Sequence, residues 1–564
     1  MNFPFPGAWL RPVRALLLLL TLVPGFAGAV HAAVPTSSEL GAYADRLLAA
    51  AYPADQPGAA VLIVKDGQTV LRKGYGMANL ELGVPVAPDM VFELGSVTKQ
   101  FTAAAILLLQ ERGQLRVEDD FTKYLTDYPT HGQTVTIENL LTHTSGIPSY
   151  TGLHEWFARI REDLKPADVI ALFKDKPLEF NPGEQWAYDN SGFFLLGAII
   201  EKVSGKTYEQ FVEEEIFQKL GMTHTRYGHP EEIVPRRAMG YSKDDKGFRN
   251  ADFISMTQPY AAGSLMSTVD DLAIWGRALQ SEALLKKSSL DRMFTSYKLK
   301  SGVPTQYGYG MGVHAIEGER VLSHGGDING FTTNVTLVPG QRLFFVLLSN
   351  NDASDPRPDA MGLRVVAKAL GKPVEERKTV QLDNQTLDEY TGVYRFDPQT
   401  VRAFTREGSK LFVQRNGRKQ ELVALAKDEL VYPDETRVHF RRDAQGKITG
   451  VGFSPPFGPA SEGKKTGEPL PQERKAVKVD PAVYDAYLGE YELAPGFSIT
   501  ILREGDQLFA LPTGQSRAEL FPESETRFFL KVVDAQIEFV RGADGKVTGL
   551  VLHQNGHDRP GKRK

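Results

Sequence analysis

The 564 residues contain no cysteine. Disulfides, thiolate metal sites, a cysteine nucleophile and a lipidated N-terminal cysteine are all excluded, so any covalent chemistry runs through another group. Charge of one sign is also lacking: Lys and Arg total 65, Asp and Glu 70, and the formal net charge is −5. A slightly acidic chain without a basic stripe lacks the electrostatic footprint of a nucleic-acid binder. Long hydrophobic runs are missing too. The stretch Ala15–Val23 has about half of the 20 residues that a membrane-spanning helix needs. No histidine and carboxylate group has zinc-like spacing, and no metal or cofactor is expected.

What is present is the composition of a packed protein, 41% hydrophobic and 24% charged, at a length that implies about three or four domains. The N-terminus has Arg11 and Arg14 before the apolar run, then small residues at Ala27, Ala29, Ala32 and Ala33. This is the pattern of a secretory signal over residues 1–32, cleaved near Ala32 or Ala33 and leaving no stable membrane anchor. Export combined with the absence of cysteine fits a bacterial periplasmic or secreted protein.

Residues 38–372 mix helical and strand patterns. Ala59–Lys65 and Thr69–Arg72 read as a hairpin around Asp66-Gly67, and Phe101–Gln110 as a buried helix. Arg320–Leu322, Thr332–Val338 and Arg342–Leu348 read as strands able to share a sheet with the first hairpin. The fold class of this region is α+β. After Gly371 comes a charged link, Glu375-Glu376-Arg377-Lys378, and then an internal repeat. Tyr390-Thr-Gly-Val-Tyr394 recurs as Tyr487-Leu-Gly-Glu-Tyr491. Arg406-Glu-Gly-Ser-Lys-Leu-Phe412 recurs as Arg503-Glu-Gly-Asp-Gln-Leu-Phe509, and Gly446-Lys-Ile-Thr-Gly450 as Gly545-Lys-Val-Thr-Gly549. Each copy, 384–460 and 480–558, has the length of a small all-β antiparallel barrel. Pro455 to Pro471 reads as an exposed linker, and Lys562-Arg563-Lys564 as a solvated tail.

Three segments carry chemistry. Ser96-Val-Thr-Lys99 opens the apolar helix, which puts both side chains on one face. A serine hydroxyl needs an adjacent base, and a lysine desolvated by such a helix has its pKa lowered towards that role. Ser461-Glu-Gly-Lys464 has the same spacing but no apolar helix behind it. In Tyr188-Asp-Asn190, positions i and i+2 of an extended segment face one side, so that tyrosine can exchange protons and asparagine can bind either the lysine or a substrate carbonyl. Taken alone, the same segment reads first as a turn entering a helix that begins near Ser191, with Tyr188 as a packing residue. The third is His324-Gly325-Gly326-Asp327 between two strands, where paired glycines suggest close approach of a ligand backbone. Among the rest, His143 reads as a cap at a helix end. Tyr307-Gly-Tyr-Gly-Met-Gly312 lacks the helix of a nucleotide site and reads as a strand lining the cleft.

In this order and at these distances, the three segments resemble those of the serine β-lactamase and penicillin-binding protein superfamily. The branch they resemble most holds class C β-lactamases, D-aminopeptidases and related esterases. Leu140-Leu-Thr-His143-Thr-Ser-Gly146 and Ala262-Gly-Ser-Leu-Met-Ser267 add to the likeness. The resemblance implies an antiparallel sheet flanked by helices over the first region and lipocalin-like barrels for the repeats. It implies Ser96 as nucleophile, Lys99 and Tyr188 in proton transfer, Asn190, His324 and Gly326 in substrate binding, and the Ser96 and Asp327 amides as an oxyanion hole. Where β-lactamases carry Lys-Thr-Gly this chain has His324-Gly325-Gly326, closer to peptidases of the branch. The expectation is a serine hydrolase forming an acyl-enzyme on small peptides or amides, D-residues included. An esterase, a β-lactamase and an inactive binder of cell-wall peptides are the alternatives. Lys99 and Tyr188 both stay open as the base.

Overall fold

In the computed structural model, residues 34–564 are described apart from 131, 245, 317, 372–378, 397–400, 416–417, 433–435, 455–459, 471–475, 495–496, 514–516, 531–534, 543 and 555–556. The expected signal segment and the charged link at 375–378 lie outside the described residues.

The first region is built on a six-stranded antiparallel sheet in the order Gly312–Ile316, Glu319–Ile328, Phe331–Val338, Leu343–Ser349, Ala59–Lys65, Gln68–Tyr75. Its two sequence-distant halves join where Ala59 pairs with Ser349 and Lys65 with Leu343. Strand alternation splits the core in two. Val61, Ile63, Phe345 and Leu347 face the helices Ser37–Ala51 and Pro358–Ala369, while Ala60, Leu62, Phe344 and Val346 face a larger helical layer. Both faces are covered, which explains why these strands read as continuous apolar runs. Thr36 and Glu39 form a capping box that starts the first helix, with Glu39 N donating to Thr36 Oγ1 at 3.2 Å and Thr36 N to Glu39 Oε2 at 2.8 Å.

The expected buried helix runs over Thr98–Glu111, entered through a 3₁₀ turn at Gly95–Val97. Thr98 to Leu109 are all buried, so this helix is the centre of its layer rather than a surface element. Gly95, at φ +52°, carries the turn into a conformation that a side chain would strain, and a Cβ there would lie 2.9 Å from Asp327 N. A Cβ at Gly326 would lie 2.0 Å from Leu94 O. These two glycines let the turn bearing Ser96 press against the strand bearing His324.

Each repeat forms a closed eight-stranded antiparallel barrel, from Gly392–Arg395 to Ser461–Lys465 and from Gly489–Ala494 to His557–Arg563. The closing strands correct three sequence expectations. Ser461-Glu-Gly-Lys464 is not linker, because it pairs with Gly450–Phe453 and with Tyr394–Arg395. The expected limit 460 stops short of the closing strand Ser461–Lys465, and 558 cuts through His557–Arg563. Lys562 and Arg563 are not a free tail but pair with Tyr491 and Glu492.

Candidate active site

The nucleophile turn, the start of the helix Asn190–Ser204 and the strand Glu319–Ile328 converge on one point. Lys99 is fully buried there. Its Nζ lies 3.1 Å from Ser96 Oγ, 2.7 Å from Asn190 Oδ1 and 2.9 Å from the Ala262 carbonyl. Burial lowers its pKa to about 7, against the upward pull of the Asp189 carboxylate. The geometry then fixes the direction of each contact. Asn190 Oδ1 and the Ala262 carbonyl only accept, so a neutral amine gives them its two N–H groups and turns its lone pair on Ser96 Oγ.

Asn190 is held for this task. Its Nδ2 donates to Thr151 Oγ1 at 3.0 Å and its backbone N to Ser149 Oγ at 3.0 Å, while Asp189 caps the helix by accepting from Gly192 N at 2.5 Å. Of the two partners expected for Asn190, the lysine and a substrate carbonyl, the structure shows the lysine: Oδ1 accepts from Lys99, and Nδ2 gives one of its two N–H groups to Thr151.

Tyr188 faces the same point, its hydroxyl bonded to Ser96 and its ring 5.0 Å from Lys99 Nζ. The residue as a whole is 39% exposed. The groups packed around the hydroxyl nevertheless raise its pKa, mainly through desolvation, with the Ser96 bond as a smaller opposing effect. Tyr188 thus stays protonated where Lys99 loses its proton, which separates the two groups that the sequence left interchangeable.

Beside them is a cavity of about 160 Å³ lined by Trp186, Tyr188, Tyr307, His314, His324 and Gly325 among others, none of them Asp, Glu, Lys or Arg. Burial lowers the pKa of His314 to about 4 and that of His324 to about 3, the nearby Lys99 adding to the second. His324, which the resemblance places in substrate binding, is already engaged by the protein. Its Nδ1 bonds the Gly325 carbonyl at 2.5 Å and its Nε2 the Tyr307 hydroxyl at 2.8 Å, so neither nitrogen is left for substrate. Gly326, expected at the substrate, instead faces Leu94 and Thr333; Gly325 lines the cavity.

One further expectation holds and one changes. His143 closes the helix Ile137–Leu141 as expected, in the left-handed conformation at φ +58° with Thr144 N donating to the Asn139 carbonyl at 2.9 Å. It is fully buried beneath Tyr188, with ring centroids 4.3 Å apart, 4.8 Å from the Tyr307 ring, and its Nδ1 is 3.4 Å from Asp189 Oδ2. Burial holds it below its ordinary pKa. Tyr307–Met311 is a loop rather than a strand, because a Cβ at Gly310 would lie 2.5 Å from the Lys99 carbonyl and the chain must pass that close. Sequence reasoning placed Tyr307 at the cleft without a role, and missed Asp189 and the Ala262 carbonyl as parts of the site. Their only local signals were the glycines beside Tyr307 and the run Ala262–Ser267. Among the described residues no cluster of His, Asp and Glu could hold a metal ion, and no helix is long and apolar enough to cross a membrane.

The beta-lactamase family model matches residues 46–369, which span the sheet, the nucleophile helix and every side chain just described. The chain belongs to the beta-lactamase family. Residues 473–563 also match a domain of unknown function, DUF3471. Penicillin-binding protein 4* of Bacillus subtilis is 26% identical over 522 residues, covering 89% of this chain and 94% of the relative, so that likeness runs through the barrels. Among solved structures, the octameric penicillin-binding protein homologue of Pyrococcus abyssi matches with a TM-score of 0.55 and 27% identity, over 76% of this chain and 99% of that one. A D-stereospecific amidohydrolase from Streptomyces matches with 0.51 and 26%, over 58% and 97%. Membership of the family together with that amidohydrolase supports a serine hydrolase of this superfamily.

Proposed function

We propose that this protein is an exported serine hydrolase that acts through an acyl-enzyme on small, uncharged amides, short peptides or esters, D-residues included. The contact between Lys99 and Ser96 carries the reading: a buried amine with a pKa near 7, its lone pair aimed at a hydroxyl 3.1 Å away. Lys99 takes the proton as Ser96 Oγ attacks the substrate carbonyl. The amides of Ser96 and Asp327, brought together by Gly95 and Gly326, receive the oxyanion. Tyr188, protonated and bonded to Ser96, hands a proton to the leaving group and is reprotonated by the one Lys99 took from Ser96. Water then attacks the acyl carbonyl, giving a proton to Lys99, which returns it to Ser96 Oγ as the acid leaves.

The neutral cavity supports uncharged substrates over carboxylate-bearing β-lactams. At about 160 Å³ it matches the volume of roughly 150 Å³ that accepts one benzene ring, which suits a single small side chain. The similar Streptomyces amidohydrolase supports D-amides as the first substrates to try. The signal-like segment with Arg11 and Arg14 supports export.

A fluorophosphonate probe followed by peptide mass spectrometry tests the reading. One adduct on Ser96, absent in Ser96→Ala, is expected. Label on another serine, or turnover retained by Ser96→Ala, overturns it. A panel of D- and L-aminoacyl amides, neutral esters and a cephalosporin then ranks the substrate classes.

A further inference from the structure

Tyr307 and His324 form a hydrogen-bond chain whose direction is fixed at one end. The Gly325 carbonyl lies 2.5 Å from His324 Nδ1. A carbonyl only accepts, so Nδ1 carries the proton, and in the neutral ring Nε2 is then an acceptor. The Tyr307 hydroxyl, 2.8 Å away, must donate to it. The hydroxyl has lone pairs left for a ligand and no proton. A substrate group that reaches Tyr307 therefore meets an acceptor.

The charges nearby favour the same choice. Tyr307 feels the Asp189 carboxylate, and Tyr188 feels both Asp189 and Asp327. Against these stands Lys99, which burial holds near neutrality. In the lining, Trp186 Nε1 is a neutral donor that is buried without a hydrogen-bond partner. Asp327 is paired with Arg357 at 2.8 Å, so the Asp189 carboxylate is the field that counts. A carboxylate entering here meets that field and no Lys or Arg in the lining, whereas an amine or amide N–H meets the Tyr307 acceptor.

We infer that Tyr307, oriented by His324, determines specificity in this cavity, and that it selects an acyl group bearing an N–H donor over one bearing a carboxylate. His324 acts through Tyr307 as a positioning residue. The inference rests on the hydrolase reading for its kinetic test and on the ring's protonation pattern for an independent one.

Three esters of one alcohol with matched acyl skeletons, bearing an α-amino group, no substituent or an α-carboxylate, give the kinetic test. The wild type is expected to rank them in that order by kcat/KM. Tyr307→Phe is expected to cut the amino-to-unsubstituted ratio about tenfold, the size of one good hydrogen bond. A merely structural role would lower all three alike, and an unchanged ratio overturns the inference. Imidazole ¹⁵N spectra at neutral pH are expected to show His324 protonated at Nδ1, with an Nε2 resonance that moves in Tyr307→Phe. An Nε2-protonated ring overturns the chain direction whatever the turnover. If Ser96 proves unreactive, the hydrolase reading falls. The selection is then read from the dissociation constants of the corresponding amides in both proteins, where an equal ratio overturns it.

Discussion

The two barrels repeat their buried polar contacts almost atom for atom, while the cleft holds polar groups arranged only once in the chain. Tyr394 donates to the Tyr390 carbonyl at 2.8 Å, and Tyr491 to the Tyr487 carbonyl at 2.8 Å. Tyr390 stacks on Phe440 at 4.1 Å, and Tyr487 on Phe539 at 4.1 Å. Arg406 pairs with Asp388, and Arg503 with Asp485. Contacts that recur with this fidelity in two copies answer to the barrel itself, which must close and satisfy the start of its first strand. In the cleft, by contrast, an amine is buried against its own charged form and His143 Nε2 is buried without a partner. Desolvating such groups costs stability, and a buried amine with a lowered pKa beside a hydroxyl is the arrangement that makes this cleft the candidate site.

The sharpest test of that contrast is Lys99→Met. Removing the base is expected to lower kcat/KM for a neutral ester by about 10³-fold, with far-ultraviolet circular dichroism showing the fold kept. Activity within tenfold of wild type would move the base elsewhere. The wild type should also show kcat/KM rising with pH through about 7 and levelling above it, as Lys99 loses its proton. The sign for stability follows from the same group. Its folded pKa lies below its unfolded value, so between about 7 and 10.5 the unfolded chain binds more protons and stability rises with pH. In Lys99→Met this rise should be absent. Denaturant midpoints measured across that window decide it.

A smaller effect is expected from removing the barrels. Residues 40–370 hold both sides of the sheet's core, in clusters made wholly of residues before 371. A chain ending after Gly371 should fold and should turn over a small ester within about threefold of the full protein, since a domain with its own core stands alone. A folded but inert fragment would bring the barrels into the active site and dissolve the contrast between the two regions.

How much of this was legible in the sequence divides along the same line. Ser96 and Lys99 were readable because helical spacing alone places them together, and Tyr188 and Asn190 because extended spacing does. The Ala262 carbonyl, Tyr307 and Asp189 reach the site through tertiary packing, which no local period encodes. In the barrels the repeat announced the fold, but the closing strands were hidden. Their inward positions include Gly463 and Gly561, where a Cβ would lie 2.7 Å from the Phe396 ring and 3.0 Å from Leu493. A neighbour's side chain fills the space that these glycines leave, so the alternation of apolar residues that signals a strand is absent and a polar run reads as linker or tail.

The smallest expected effect is the most discriminating between architecture and function. Tyr394→Phe and Tyr491→Phe each delete one buried hydroxyl with an identical partner and distance, and each should cost its own barrel about 1 kcal/mol, the net worth of a neutral hydrogen bond. Because the two hydroxyls share no partner, the losses should add in the double variant. Hydrogen exchange followed by mass spectrometry separates the barrels in the full chain. Protection over 392–465 should fall in the first variant alone and over 489–563 in the second alone, by similar amounts. Ester turnover should not change in either. Unequal losses would mean that one barrel is braced by something its copy lacks. A change in kcat/KM from either tyrosine would show that a barrel reaches the cleft, and the repeated contacts would then serve catalysis as well as closure.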